Sequence, residues 1–171
     1  MLIRLLLSVS ITILLPACGF HLRQADSFPA SLSLISLECH ETSVNVCQSL
    51  ERNLYSAGIT PKTSTNAYKI EIGQAKQSQQ AVSVDNKARA AEYEITRTIP
   101  LSLIHPSGKK ILQTTTSRSQ HYRYTEESVL AKQREAKDIA EQIDQLLALA
   151  IFQQLKPFTE VRIQEALTES K

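Results

Sequence analysis

The reactive group with the clearest context in this 171-residue chain is the thiol of Cys18. It ends the run Leu15-Pro16-Ala17-Cys18, behind Arg4 and an apolar stretch from Leu5 to Leu15 broken only by Ser8, Ser10 and Thr12. A short positive end, an apolar core of about ten residues and a small residue before a cut site make a secretory signal peptide. The core is shorter than the roughly 20 apolar residues that a membrane span needs. With cysteine directly after the small residue, residues 1–17 read as a cleaved bacterial lipoprotein signal. The Cys18 sulfur then receives a diacylglyceryl group, the chain is cut before it, and the freed amine is acylated. The competing reading is an ordinary exported protein with a cysteine near its new N-terminus.

Cys39 and Cys47 remain, in an oxidising compartment. They either pair, closing a loop worth roughly 2–3 kcal/mol by the chain-entropy model, or stand as two separately buried thiols. Cys39-His40 with Cys47 lacks a fourth ligand and the C-x-x-C spacing of a zinc site, so no metal is expected. No H-E-x-x-H or G-x-S-x-G motif occurs, and His21, His40, His105 and His121 stand apart in sequence. Glu92 and Glu94 can share a strand face, but with no partner acid or pocket they read as a solvated pair. Neither catalysis nor a cofactor is expected.

Losing residues 1–17 removes Arg4 and no acid, leaving 18 basic against 17 acidic residues. Such a balance argues against a nucleic-acid binder, so an anionic ligand must be met by a local cluster. Lys87 and Arg89 flank one predicted turn, Lys132, Arg134 and Lys137 open a predicted long helix, and Arg118 and Arg123 lie on the strand before it. They are either dispersed surface charge or a group that meets phosphates and carboxylates with charge-assisted hydrogen bonds.

The elements that must position these groups follow from periodicity. Gly19 to Ala30 reads as a tether, and Ser31 to Cys39 as a first strand. Thr42 or Ser43 can cap a helix whose stripe is Cys47, Leu50, Leu54 and Ala57, stopped by Gly58-Ile59. Tyr68, Ile70 and Ile72 begin a strand that can continue past Gly73 to Val84. After a turn at Asp85-Asn86-Lys87, Tyr93, Ile95, Ile99, Leu101 and Leu103 share a face that Arg97 interrupts. Pro100 belongs at an edge or a bulge. Pro106-Ser107-Gly108 turns the chain into a last strand, Ile111 to Tyr124.

The long helix begins near Thr125 and ends before Pro157, with Ala136, Ile139, Ala140, Ile143, Leu146, Leu147, Ala150 and Ile151 in its stripe. It is on the order of 45 Å long. Phe158 to Lys171 reads as a polar tail. The expected fold is α+β, a two-layer sandwich of a four-stranded, mostly antiparallel sheet with two helices on one face. Its domain spans residues 31–157, after a lipidated tether at 18–30 and before the tail at 158–171.

Cys18-Gly19-Phe20-His21-Leu22-Arg23 resembles the mature start of the lipopolysaccharide-assembly lipoproteins of LptE type, typically Cys-Gly-aromatic-His-Leu/Phe-Arg. Ala91-Glu92-Tyr93 and Leu130-Ala131-Lys132 match inner segments of that family, and the likeness runs from Cys18 to about Leu155. The resemblance implies an outer-membrane lipoprotein facing the periplasm. Its partner would be the β-barrel translocon protein for lipopolysaccharide, which it plugs and helps to assemble. It would help to deliver lipopolysaccharide to the cell surface, and would bind no nucleic acid. Family positions that contact the glycolipid lie near the second-to-third strand turn and at the start of the long helix. Lys132 matches the second; at the first stands Asn86, with Lys87 and Arg89 beside it. Gly19 after the lipidated cysteine fits export to the outer membrane. The alternative is a free periplasm-facing lipoprotein that binds or carries anionic glycolipid.

Overall fold

The computed structural model describes residues 28–87, 89–123 and 129–169, with side chains left out at 90, 129–133 and 169. Cys18, the signal segment and the first part of the tether lie outside the described residues. Strand β1 (Ile35–Cys39) leads through helix α1 (Val44–Ser56) to β2 (Tyr68–Ile72). Then follow β3 (Lys76–Val84), β4 (Ala90–Ile104), β5 (Lys110–Arg123), α2 (Val129–Leu155) and α3 (Glu160–Glu169). The expectation of four strands and two helices is thus corrected, among the described residues, to five strands and three α-helices.

The extra strand comes from a break, not from a new position in the sheet. Strands β2 and β3 lie one after the other along the same edge of β4, with Ile70 opposite Leu103 and Ser78 opposite Thr96. The break falls at Gly73, whose N–H donates to the Pro100 carbonyl at 2.9 Å. A Cβ on Gly73 would meet the Pro100 ring at 3.2 Å, so the chain passes closest where only glycine fits without displacing that ring. Pro100, without an N–H to offer, interrupts the ladder there. On the other edge β5 runs antiparallel to the whole of β4, and β1 pairs parallel with β2. The parallel pair needs its crossover, which α1 provides.

The hydroxyls expected to cap α1 do something else. Ser43 Oγ donates to the Gly73 carbonyl at 2.6 Å, and Thr42 Oγ1 accepts from the Ala75 N–H at 3.0 Å. Ser43 makes no side-chain cap to the helix. Both hydroxyls hold the β2–β3 break instead, because that segment lies across the helix start. At the other end the expected stop holds: Gly58 takes φ +82° and the Ile59 N–H reaches back to the Leu54 carbonyl at 2.9 Å.

The inner sheet face and the two longer helices make the core. Ile35, Ile70, Ile72, Ile95, Ile99, Leu101 and Leu103 from the sheet meet Val46, Leu50 and Leu54 of α1, and Ile143, Leu147 and Ile151 of α2. Leu146, expected in the buried stripe, is instead 44% exposed. Arg97, the interruption in the β4 face, points to the same inner side as Ile95 and Ile99.

Both ends of the domain reach further than expected. Leu32 is fully buried in a 3₁₀ turn (Ala30–Leu32), so β1 starts at Ile35 rather than Ser31. Phe28 is buried and its ring lies 5.1 Å from that of Phe152, so the core begins inside the segment read as tether. The supposed tail is folded too. Phe158 and Ile163 are 5% and 2% exposed, Leu167 packs against the core, and Ser31 Oγ donates to the Phe158 carbonyl at 2.6 Å. Its apolar residues are few but sit four apart on one helix face, which suffices to bury a short helix.

Candidate functional site

The sheet reaches well past the core as an arm made of β3 and the paired halves of β4 and β5. Its tip is the β3–β4 turn. Asp85 organises that turn: Oδ1 accepts from the N–H groups of Lys87 at 2.8 Å and Arg89 at 2.9 Å. Oδ2 accepts from Arg89 Nε at 2.9 Å and lies 2.8 Å from the second guanidinium nitrogen. The Arg89 backbone N–H, then the other donors, hold the Asp85 carboxyl below its ordinary pKa. A turn of this kind is written in the sequence as Asp-Asn-Lys, since Asp accepts from backbone two residues on.

Register places the other basic residues relative to this tip. Val84 pairs with Ala90 and Glu92 with Arg123, so the end of β5 lies at the same end of the arm as the turn. Helix α2 begins at Val129, six residues beyond Arg123, and its Glu135 lies near Tyr122 on the arm's inner face. There Tyr93 and Tyr122 stack with centroids 5.6 Å apart, and Gln79 Nε2 donates to the Tyr122 hydroxyl at 2.6 Å. Burial, with Tyr93 and Glu135 of α2 nearby, raises the Tyr122 pKa.

Of the residues singled out, Lys87 and Arg89 therefore sit together at the tip, both exposed. Arg89 is bound to Asp85, which leaves Lys87 as the more outward charge. Lys132 falls in the first turns of α2, and its side chain lies outside the described residues. Arg123 is exposed at the same end, whereas Arg118 lies midway along β5 opposite Arg97. Lys137 makes an i,i+4 contact with Glu141 at 3.8 Å. Sequence reading missed Val82 and Val84, 42% and 65% exposed, which add an apolar patch beside the cationic turn. Alternating polar residues around them gave the signal.

The outer face of the arm is polar along its middle, with Val82 and Val84 exposed toward the tip. Glu94 stands at its centre, accepting from Gln80 Nε2 at 3.0 Å and lying 3.3 Å from His121 Nε2. These donors, Gln80 foremost, lower its pKa despite some burial. Glu92 and Glu94 thus meet a histidine rather than each other. Among the described residues no group of three or more His, Cys, Asp or Glu could hold a metal. Away from the arm, Cys39 and Cys47 are joined by a disulfide, tying the end of β1 to the second turn of α1.

The α+β fold of this domain is found among bacterial lipoproteins. The rare lipoprotein B from Shewanella oneidensis shares it at TM-score 0.67 and 15% identity, over 77% of this chain and 98% of that one. A minor lipoprotein from Acinetobacter baumannii does so at 0.63 and 18%, over 74% and 92%. Lipoprotein B from Nitrosomonas europaea does so at 0.65 and 16%, over 82% and 92%. Sequence comparison with curated proteins finds no match. The profile of the lipopolysaccharide-assembly (LptE) family matches residues 36–155, and the chain belongs to that family. Its role is therefore in lipopolysaccharide assembly. Among the described residues no helix is long and apolar enough to cross a membrane.

Proposed function

We propose that this chain is anchored to the outer membrane through lipid on Cys18, faces the periplasm, and serves as plug and assembly partner of the β-barrel that translocates lipopolysaccharide. The observation that carries this is the outer face of the arm. Ser78, Gln80, Glu94, Thr96, Ser119 and His121 form a polar band across it, suited to a hydrated barrel interior, while Val82 and Val84 lie nearer the tip. Two or more acyl chains, at about 0.8 kcal/mol per buried CH₂, keep the domain beside such a barrel. The tip would meet the glycolipid. Lys87, Arg89 and Lys132 supply charge for its phosphates, and Val82 and Val84 supply apolar surface for its chains.

Isolating the full-length lipoprotein from membranes in mild detergent should bring down a large β-barrel at about equal stoichiometry. Repeated recovery of the lipoprotein alone would refute the plug. The second reading, a free carrier of anionic glycolipid, is favoured only by the tip. It predicts lipopolysaccharide binding without the barrel, weakened by Lys87→Ala or Lys132→Ala.

A further inference from the structure

We propose that the outer edge of β5 is a docking site for an extended strand of a partner protein, apolar at alternate positions and acidic opposite Arg118. The proposal does not depend on the barrel reading, since it concerns how a strand is received and not which protein supplies it.

The sheet treats its edges differently. The outer edge of β1 is met by the loop before β2, where the Lys62 N–H donates to the Ile35 carbonyl at 2.8 Å. The edge of β3 is broken by register shifts between Ala81 and Val84. Strand β5 has neither device: it runs fourteen residues without proline, and its one irregularity lies at its start, near Lys110. Among the described residues no strand pairs with its outer side. Such an edge is a template for another strand.

The parity of the edge can be worked out. Pro100 turns its carbonyl toward Gly73, so the neighbouring odd residues of β4 turn theirs toward β5. Their partners Thr114, Thr116 and Arg118 spend their backbone groups on β4. The N–H and C=O groups of Gln113, Thr115, Ser117 and Ser119 therefore face outward. Ser117 accordingly offers its carbonyl to the Arg118 side chain at 2.8 Å, for want of a strand.

Beside this edge a groove of about 360 Å³ opens between β5 and α2. Leu146 and Leu149, 44% and 47% exposed, form its apolar floor, and Arg118 stands at its side. A row of unspent backbone groups is satisfied along its length only by another extended backbone, whose inward side chains would cover the two leucines. Charge selects the occupant. β5 carries Lys110, Arg118 and Arg123 and no acid. Pairing two copies antiparallel about Arg118 would set that residue against itself, and in every other register a second β5 has no acid to set against it. Like charges directly opposite destabilise a pair. Arg118 has no carboxylate partner among the described residues, so a heterologous strand with an acid fits where a second copy does not.

The test uses the full-length protein in detergent micelles and three ten-residue peptides. One alternates valine and threonine with a central glutamate, the next has glutamine there, and the last copies part of β5. The glutamate peptide should slow amide exchange of Thr115, Ser117 and Ser119 by about tenfold while leaving Thr114, Thr116 and Arg118 nearly unchanged. It should bind roughly fivefold more tightly than the glutamine peptide, and the β5 peptide should protect nothing. Thr115→Pro deletes an outward donor and no bond to β4, so it should abolish protection of Ser117 at unchanged melting temperature. If that variant misfolds, Leu149→Lys serves instead, by charging the groove floor. Absence of alternating protection with the first two peptides overturns the proposal. Protection by the β5 peptide alone overturns it in favour of a second copy.

Discussion

Arg97 on β4 and Asp144 on α2 meet across the seam between sheet and helix, with Nε and Oδ1 2.8 Å apart and 15% and 3% of their side chains exposed. The contact lies outside directed hydrogen-bond geometry at those two atoms, so it acts mainly through charge. Arg97 also donates to Gln77 Oε1 at 3.2 Å, and Asn45 of α1 bonds to Asp144. One ion pair thus joins arm, long helix and crossover helix.

Removing one partner leaves a buried charge alone. Arg97→Met should cost about 3–5 kcal/mol in denaturant unfolding, and the double change with Asp144→Leu should regain most of it. A nearly neutral single variant would mean that the pair does not hold the arm to the helices.

The same aspartate makes an unusual contribution to pH dependence. Burial raises its pKa, and Arg97 and Asn45 offset this only in part. Its favourable contribution is therefore present below the ordinary carboxylate range and lost as pH rises through the raised folded value. Between about pH 3 and about pH 7, wild type should lose stability relative to Asp144→Asn. Unfolding midpoints of the two proteins across that range measure it; parallel curves would contradict it.

Arg97 also marks how far the sequence could be read. Strand alternation showed that a charge interrupts an apolar face, but its partner lies 47 residues on, on a helix whose rotation periodicity alone did not fix. The strands and long helix were legible because their apolar residues repeat over many positions. The β2–β3 break was not, because it arises from Gly73 meeting Pro100, two residues 27 apart. Local hydrogen-bonding capacity identified Thr42 and Ser43 but named the wrong partners. At the tip, turn chemistry located Lys87 and Arg89, while the hold of Asp85 on Arg89 needed coordinates.

The disulfide closes a short loop between residues eight apart. Replacing Cys39 and Cys47 by serine should lower stability by about 2.5 kcal/mol on the chain-entropy account. Denaturant midpoints of the variant and of wild type should differ accordingly, and should converge when wild type is reduced.

The C-terminal helix can be tested by a single cavity. Ile163→Ala should cost about 2–5 kcal/mol, whereas Val161→Ala, at a position 69% exposed, should be almost silent. Equal, negligible effects in thermal unfolding would return the segment to a tail.

The most direct test of the plug is contact in the intact membrane. A photo-crosslinking amino acid at Ser78 and, separately, at Gln113 puts the probe on the polar outer face of the arm and of the sheet. Irradiated cells should yield, from both positions, a high-mass adduct whose second component is a large outer-membrane β-barrel, crosslinked through residues that line its interior. Adducts to lipid alone, or none, from a folded and membrane-bound protein would contradict the account.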